Sequence, residues 1–467
     1  MRTSRTLLLA IPALMASLAM PGCGAQVGTF ASEPTASARS KVVTSLAWSH
    51  NPPGGRDPKT IPQLVAVTFD DNFGLAAANA TGGMNDINAF YAGKNNPAGD
   101  GNPDNFDGTP IGTTFYYTTI YISPSTETVG GGKPGEDSGG RNRKAWTTAF
   151  QNGHEAADHT VNHFNGGVVA LDTDDCCRPR HWSVADWTAE IKGAKDKLID
   201  PQGGIGATAD DVIGFRTPFL GYNDNTFTSL TNQGFAYDTS LMNCYADDED
   251  ATSCSWPYTL DDGSPDIEHV SAKLTRKTPT PWSFPKVTSH PGLWELPPTT
   301  LVIPPDSEAA NYKFTEGLRA RVAAQANPYP SVYEASTGKM AGLDYSLLMD
   351  AKVTPAEMAA ILEYNLDQHL AGNRAPIVFI AHSHLYAFSD ADDNPDTPSK
   401  AVRDARWKAL TDFLTYAMSK PEVRIVPAKN VLAWVQHAAA NPVADAGTTG
   451  PGAERGSGGA ATENAHH

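Results

Sequence analysis

The chain has 467 residues, a net charge of −17 at pH 7 and 40% hydrophobic residues. A surface this acidic repels phosphate backbones, which argues against a nucleic-acid binder. Only 19% of the residues are charged, so the composition also argues against a disordered chain and allows a sizeable core to be buried. The 41 Gly and 35 Pro residues predict long loops between the elements.

The N-terminus has the pattern of a signal peptide. Arg2 and Arg5 precede an apolar stretch over residues 7–20, and small residues follow before Cys23. A buried N-terminal helix is the alternative interpretation. The segment Met-Pro-Gly-Cys resembles a bacterial lipobox, although Met20 stands where Leu is usual. We therefore expect an exported, extracellular or cell-envelope protein whose contact with a membrane is limited to a lipid anchor at Cys23.

The rest of the chain is predicted to hold one folded domain. Residues 1–23 are the signal peptide, 24–45 a flexible linker, 46–440 the domain and 441–467 a disordered tail. The linker and the tail are rich in small and polar residues and lack periodicity. No repeat and no internal linker divides the domain, and the sequence leaves the oligomeric state open.

Within the domain, short β-branched runs predict strands, and longer runs with helical spacing of apolar residues predict helices. In chain order we predict a strand at 64–69, a strand at 113–119, helices at 145–152 and 182–198, a strand at 212–215, a helix at 225–233, a strand at 236–239, a helix at 355–370, a strand at 377–381, a helix at 399–418 and a strand at 423–426. Ser183 and Thr354 are the predicted N-caps.

This alternation predicts an α/β fold with a parallel sheet or barrel, whose chemistry lies at the carboxyl ends of the strands. Loop insertions are predicted at 93–110, 130–143, 247–250 and 389–398, where Asn, Asp, Gly, Pro or acidic residues cluster. Long loops around strand ends often shape a substrate groove, whereas acidic runs are more often a solvated surface.

Four cysteines remain if Cys23 is processed: Cys176, Cys177, Cys244 and Cys254. An even number in an oxidising compartment favours disulfides, with three connectivities. Pairing Cys244 with Cys254 closes a short acidic loop but leaves two adjacent cysteines to each other, which is strained. Two long-range bridges between the pairs are the alternative. A structural zinc site is disfavoured, because finger-like spacing is missing.

Two motifs predict a metal site. Asp70 and Asp71 follow the first strand, and because side chains alternate there, one carboxylate can face a metal and the other a reacting water. His159 and His163 are four residues apart and would share one face of a helix, where both imidazoles can bind one ion. Each motif alone has a plain alternative, a turn or an incidental pair. Together they suit Zn²⁺, Co²⁺ or Ni²⁺.

Two further strand ends carry polar residues. Arg216 leaves the strand at 212–215 and could hold a carboxylate through a bidentate hydrogen bond, with a surface turn as the alternative. His382 stands at the tip of an apolar strand and is a candidate general acid, with a core position as the alternative. His384 is a rival or a helper of His382.

In this order, TFDD, NGHE with HTVNH, GFRTPFL and IAH resemble the motifs of the polysaccharide deacetylase family, also called the NodB-homology or carbohydrate esterase family 4. The segments YDTSL, WPYTLD and GLWELP resemble its chitin-deacetylase-like branch. The resemblance covers roughly residues 64–436. It implies a distorted (β/α) barrel of the NodB-homology type with long loop insertions.

Carried over to this sequence, the resemblance implies one metal site and its flanking groups. The implied ligands of a divalent metal, most simply Zn²⁺, are Asp71, His159 and His163. Asp70 would be the catalytic base, held by Arg216, and His382 would be the catalytic acid.

The remaining implied roles rest on weaker matches. Asp238 would orient or tune the acid, and the backbone N–H of Phe219, where the family usually has Tyr, would bind the oxyanion. The family's Asp-Trp pair is not found after Asp238. Trp294 is therefore the candidate for the pocket wall, with a core position as the alternative.

The resemblance implies a metal-dependent hydrolase that removes N-acetyl groups from an N-acetylglucosamine-containing polysaccharide. Chitin or its oligomers are favoured over peptidoglycan and exopolysaccharide, and an acetylated polysaccharide is the expected partner. One alternative is an acetyl-ester esterase acting on xylan. Another is a non-catalytic envelope lipoprotein that binds glycan.

Overall fold

The computed structural model describes residues 45–74, 81–124, 126, 128, 135–137, 140–167, 181–274, 284–325, 333–388 and 399–443. The predicted signal peptide with Cys23, nearly all of the linker, the pair Cys176 and Cys177, the loop 389–398 and the tail from residue 444 lie outside these residues, as does half of the loop 130–143. Within the described part, no helix combines the length and apolar character that crossing a membrane requires.

Strands and helices alternate along the domain. The strands are β1 Gln63–Asp70, β2 Thr81–Gly82, β3 Thr114–Tyr117, β4 Glu155–Asp158, β5 Gly214–Phe215, β6 Tyr237–Asp238, β7 Tyr258–Thr259, β8 Trp294–Glu295, β9 Thr300–Val302, β10 Tyr333–Glu334, β11 Lys339–Ala341, β12 Ile377–His382, β13 Ala387–Phe388 and β14 Val423–Ile425. The helices are α1 Met84–Tyr91, α2 Arg141–Gln151, α3 Val184–Ile199, α4 Asp224–Asn232, α5 Pro265–Leu274, α6 Ala309–Tyr312, α7 Leu318–Gln325, α8 Pro355–Ala371, α9 Lys400–Met418 and α10 Ala428–Ala440.

The main sheet has the strand order β12-β1-β3-β4-β5-β6-β8-β7, and β14 also pairs with β1. Its pairs are parallel except for the antiparallel pair of β7 and β8. After β8 the chain reaches the far edge of the sheet, where the N–H of Thr299 donates to the carbonyl oxygen of Val378 in β12 at 3.0 Å. The fold is therefore an α/β distorted (β/α) barrel, as the sequence predicted.

The sequence explains the central elements. All eight residues of β1 are buried, as expected for a parallel strand covered on both faces. Helices α3 and α8 begin with capping boxes at Ser183 and Thr354, which confirms both predicted N-caps. Helix α8 packs on α9, and the two cover one side of the core.

Some elements differ from the prediction. Helix α2 begins at Arg141, earlier than the predicted residue 145, because its first residues are mostly polar and give no apolar signal. The strand predicted at 212–215 pairs only at Gly214–Phe215. Helices α1, α5, α6, α7 and α10 were not predicted. Strands β2, β7 to β11 and β13 were also not predicted, because two or three residues are too few to show a period.

The cysteine pairing is settled for one bridge. A disulfide joins Cys244 and Cys254, which confirms the short acidic loop and rules out the two long-range bridges. The loop between these cysteines includes the buried side chain of Glu249.

Candidate active site

Strand β1 ends in two carboxylates with different surroundings. Asp70 is its last residue, and Asp71 follows with a φ of 64°. A positive φ is uncommon outside glycine and here turns the chain sharply at the edge of the sheet. Asn72 holds this turn, because its Nδ2 donates to the carbonyl oxygens of Phe69 and Tyr116 at 2.8 and 2.9 Å.

His159 and His163 lie in a loop after β4 and not on one face of a helix, so that part of the prediction is wrong. The backbone turns at Thr160 and at His163, where φ is 70° and 55°. The carboxylate oxygen Oδ1 of Asp158 accepts a hydrogen bond from the N–H of Thr160 at 2.8 Å, which supports the first turn. The two imidazoles are brought together by these turns and not by a helical repeat.

Both imidazoles nevertheless converge on Asp71. The Nε2 of His163 lies 3.0 Å from Asp71 Oδ1, and the Nε2 of His159 lies 3.7 Å from the same oxygen. One ligand atom from each of the three side chains lies within 4.8 Å of the other two. The Nδ1 of His159 is 2.8 Å from the carbonyl oxygen of Arg216. If that nitrogen carries the proton and donates it there, Nε2 keeps its lone pair for a ligand.

The electrostatics of this group suit a metal. Burial lowers the pKa of His159 to about 4, so its imidazole is neutral at pH 7. Burial alone would raise the pKa of Asp71, but the imidazole of His163 and the other nearby histidines outweigh it and hold that pKa well below its usual range. A carboxylate and neutral imidazoles are the form in which these side-chain types bind divalent metals, and His159 is held in that form. The three predicted ligands therefore fit such an ion.

Arg216 fixes the orientation of Asp70. Its fully buried guanidinium donates from Nη1 to Asp70 Oδ1 at 2.7 Å and to Thr68 Oγ1 at 2.8 Å. Nε and Nη2 donate to the backbone and side-chain oxygens of Thr239, and the guanidinium stacks 4.2 Å from the centre of the Tyr116 ring. The contact with Asp70 is thus a single hydrogen bond and not the bidentate one predicted, because Nε and Nη2 of the guanidinium donate to Thr239 instead.

His382 ends β12 and is held by Asp344. The Nδ1 of His382 lies 2.7 Å from Asp344 Oδ1, and its backbone N–H donates to Asp344 Oδ2 at 2.9 Å. The hydroxyl of Tyr386 also donates to Oδ2. Burial alone would lower the pKa of His382, but Asp344 outweighs it and raises that pKa to about 9. His382 therefore carries a proton at neutral pH.

Asp238 does not hold His382 as the sequence predicted, since Asp344 takes that position. Its two oxygens accept from the N–H and hydroxyl of Ser240, both at 2.9 Å. Glu295 is its register partner in the neighbouring strand β8. Burial raises the pKa of Asp238 to about 6 and the pKa of Glu295 well above its usual range, so this pair lies in the interior as a partly protonated group.

Trp294 belongs to the core, and its predicted place in the pocket wall is wrong. It is 2% exposed and packs in a cluster with Tyr237 and Leu296. Tyr345 is the aromatic residue at the edge of the site: it is 38% exposed, and its ring centre lies 5.9 Å from that of His382. An aspartate followed by an aromatic residue, Asp344-Tyr345, was the signal that could have identified both.

Phe219 lies beside the imidazoles. It has a φ of 60° within the 3-10 turn Pro218–Leu220, and its ring centre is 4.6 Å from that of His163. The N–H groups of Leu220 and Gly221 donate within this turn. Among the described residues, the backbone N–H of Phe219 has no acceptor, which leaves it available to a ligand.

Two other side chains define the surroundings. His384 stacks on Phe73 at 4.2 Å, and burial lowers its pKa to about 3, so it carries no proton at neutral pH and is no rival to His382 as an acid. Glu190 of α3 was missed by the sequence analysis. Its Oε2 accepts the N–H groups of Val161 and Asn162 at 3.1 and 3.0 Å and so holds the loop between the two histidines.

No protein-family model matches the sequence, and no curated protein matches it. Among solved structures, a protein from Mycobacterium smegmatis described as a polysaccharide deacetylase is 16% identical, with a TM-score of 0.42 over 82% of this chain and 93% of that one. Agd3, described as a novel carbohydrate deacetylase, is 13% identical, with a TM-score of 0.40 over 81% of this chain and 54% of that one.

A family 4 carbohydrate esterase from Streptomyces lividans, in complex with acetate, is 13% identical, with a TM-score of 0.23 over 38% of this chain and 62% of that one. These neighbours are carbohydrate deacetylases and esterases by description. The chitin-deacetylase-like branch stays a prediction from the sequence.

Proposed function

We propose that this protein is a metal-dependent hydrolase that removes N-acetyl groups from an N-acetylglucosamine-containing polysaccharide. One observation carries the proposal: three side chains of metal-ligand types converge beside a carboxylate that is held by an arginine, and an imidazole that is held by a second carboxylate neighbours that carboxylate on the adjacent strand. These residues are Asp71, His159 and His163 with the pairs Asp70–Arg216 and His382–Asp344.

The proposed metal ligands are Asp71, His159 and His163. A divalent cation bound there, most simply Zn²⁺ with Co²⁺ or Ni²⁺ as alternatives, supplies Lewis acidity for the attack of water on a carbonyl group. Burial keeps competing water from His159 and Asp71, which are 1% and 6% exposed. His163, whose side chain is 20% exposed, lies on the side open to a substrate.

Asp70 is the proposed base. Its Oδ1 accepts from Arg216, and its Oδ2 lies 3.9 Å from His159 Nε2. The arginine therefore fixes the carboxylate through one oxygen and leaves the other to accept the proton of the attacking water. Such positioned proton transfer contributes roughly 10²–10⁴-fold to a rate.

His382 is the proposed acid. Because its pKa is raised to about 9, its imidazole holds a proton at neutral pH that it can donate to the departing nitrogen. An amine leaves poorly from an amide unless it is protonated, so a proton donor at this position suits an N-acetyl substrate. Asp344 keeps the Nδ1 side of the ring engaged and leaves Nε2 for the substrate.

The oxyanion that forms from the acetyl carbonyl group must be stabilised by a hydrogen-bond donor. The backbone N–H of Phe219 has no acceptor among the described residues, and the ring of this residue lies 4.6 Å from that of His163. Loss of one such donor typically costs about 2.7–4 kcal/mol of transition-state stabilisation. Asp238 has no contact with the reacting groups in this proposal, since its two oxygens accept from Ser240.

The substrate class is inferred from the edge of the site and from the resemblance in the sequence. The exposed ring of Tyr345 beside His382 offers an apolar face on which a sugar ring can stack. An exported protein, as the N-terminal sequence predicts, would meet chitin or other acetylated glycans outside the cell. Chitin or its oligomers are therefore the proposed substrate.

The test is acetate release from chitin oligomers, peptidoglycan and acetylated xylan. The wild type is expected to release acetate from chitin oligomers, and Asp70→Asn is expected to lose at least about 100-fold. Asp262→Asn, an identical change at an exposed residue, is the control and should match the wild type. Release of acetate from acetylated xylan alone would indicate an esterase and contradict the proposed amide substrate. Bound metal without acetate from any glycan would favour a non-catalytic binder.

A further inference from the structure

A second group of metal-binding side chains lies outside the candidate active site. Glu249, Asp266 and His269 each offer one ligand atom, and these atoms lie within 4.8 Å of one another. Glu249 comes from the loop closed by the disulfide, whereas Asp266 and His269 are one turn apart on α5. The group shares no residue with the candidate active site. We call it the Glu249 cluster.

The carboxylates of the Glu249 cluster are buried without a permanent positive charge. Glu249 is 3% exposed and Asp266 1% exposed. Among the ion pairs of the described residues, neither carboxylate is joined to a lysine or arginine. The one pairing is with His50, whose Nε2 lies 2.9 Å from Glu249 Oε1. Two neighbouring buried carboxylates are costly unless a cation or a proton compensates them.

The hydrogen bonds present leave room for such a cation. Asp266 accepts from Trp48 Nε1 at 2.8 Å and from Ser255 Oγ at 2.7 Å, and both donors are neutral. Glu249 Oε2 accepts the N–H of Ala246 at 2.7 Å. Each carboxylate oxygen has two lone pairs, so these contacts and a metal bond are compatible.

An independent observation also points to a ligand. The Nδ1 of His269 is buried and has no hydrogen-bond partner among the described residues, although buried polar atoms are nearly always paired. The Trp48 ring contacts the rings of His50 and His269 edge-on, at 4.7 and 5.8 Å between centres. Both imidazoles therefore lie around the tryptophan whose Nε1 donates to the Asp266 carboxylate.

We propose that the Glu249 cluster is a second, structural metal site that binds Zn²⁺. Glu249, Asp266 and His269 are the ligands, and His50 is the candidate for the fourth position. A mixed set of carboxylate oxygens and imidazole nitrogens suits Zn²⁺, whereas Ca²⁺ and Mg²⁺ prefer oxygen ligands alone. The ion would fasten three distant segments together: the start of the domain, the disulfide loop and helix α5. The proposal is independent of the proposed function.

The experiment counts bound zinc in the full chain. The protein is loaded with Zn²⁺, dialysed against zinc-free buffer and analysed by mass spectrometry of the metal. We expect two equivalents in the wild type and one in Glu249→Gln. Glu268→Gln is the matched control, because this neighbour of His269 on α5 is exposed and, within the described part of the chain, pairs with Lys286 alone, and it should retain two. If Glu249→Gln does not fold, His269→Gln gives the same readout at a partly exposed position.

His163→Ala separates the two sites. It should also retain one equivalent, and combining it with His269→Gln should leave none. A wild type with one equivalent that His163→Ala removes would overturn the second site and leave the proposed function intact. The wild type could instead bind one equivalent of zinc that is lost in His269→Gln and kept in His163→Ala. That result would support the second site and contradict the catalytic one. Two equivalents in Glu249→Gln or His269→Gln would overturn the Glu249 cluster as a metal site.

Discussion

Asp70 and His382 are register partners at the carboxyl ends of two adjacent parallel strands, β1 and β12. Strand pairing alone therefore brings a carboxylate and an imidazole to the same edge of the sheet. Each is then held by a charged partner from another segment, Arg216 for the carboxylate and Asp344 for the imidazole. The two proposed proton-transfer groups thus have fixed and separate supports, and each support can be tested.

Asp344→Asn is expected to move the alkaline limb of the kcat/KM profile to lower pH. Asp344 raises the pKa of His382 to about 9 against the effect of burial, and the acid form is lost as pH rises through that value. Without the charge, burial dominates, and the pKa falls below its ordinary value. A cation bound at Asp71 would oppose the effect of Asp70 and Asp71 on the pKa of His382. It would leave the hydrogen bond between His382 and Asp344 intact. An unchanged alkaline limb would show that His382 is not the acid.

The same pair predicts a pH dependence of stability in the metal-free protein. The pKa of His382 is higher in the folded state, about 9, than its ordinary 6.5. Its contribution to stability is therefore complete below 6.5 and is lost as pH rises towards 9. The melting temperature of the wild type should fall across this window more than that of Asp344→Asn. Parallel profiles for the two proteins would contradict the assignment.

Removal of the active-site metal is expected to abolish acetate release, and Zn²⁺ or Co²⁺ should restore it. His163→Ala should require a much higher zinc concentration for reactivation, because it loses one of three ligands. His382→Ala should still bind the metal but remain inactive at every zinc concentration. His437→Ala, a change at an exposed position on α10, is the control. Full activity of the chelated protein would rule out a metal-dependent reaction.

Arg216→Met is expected to destabilise the protein strongly, by roughly 3–5 kcal/mol, because it leaves the buried carboxylate of Asp70 without its partner. Arg216→Lys should be milder in stability, since the charge is kept. It should still lose activity, because one ammonium cannot span Asp70 and Thr239 as the guanidinium does. Denaturant unfolding and kcat/KM measure the two effects. Wild-type stability of the methionine variant would contradict this role.

Glu190→Ala is expected to weaken zinc binding at the active site by about 10–100-fold, as is typical for partners that orient metal ligands. Glu190 touches no predicted ligand but holds the two N–H groups between the histidines. Asp196→Ala on the same helix, at an exposed residue that pairs with Lys192, is the control. The zinc concentration for half-maximal reactivation measures the effect. Equal values for both variants would show that the loop holds its shape without Glu190.

The parts of the fold that the sequence predicted are those with local signals. β1 and β12 are apolar, β-branched runs, and the starts of α3 and α8 carry capping residues that act within one turn. The carboxyl ends of parallel strands share one edge, so Asp70 and His382 could be expected together. Two-residue strands and the polar first turn of α2 carry no period and were not predicted.

The candidate site required contacts that no local pattern encodes. Asp344 lies 38 residues before His382 and reaches it because Leu343 pairs with Ile380 of β12. The spacing of His159 and His163 predicted convergence on one ion, but through a helix. The structure uses two turns with positive φ instead, which residues other than glycine adopt only where surrounding contacts impose them.

The most direct test of the proposed active-site metal is anomalous diffraction at the zinc edge from crystals of the zinc-loaded protein. We predict an anomalous peak within bonding distance of Asp71 Oδ1 and of the Nε2 atoms of His159 and His163. Strong zinc peaks elsewhere in the molecule, with none between these three side chains, would contradict it.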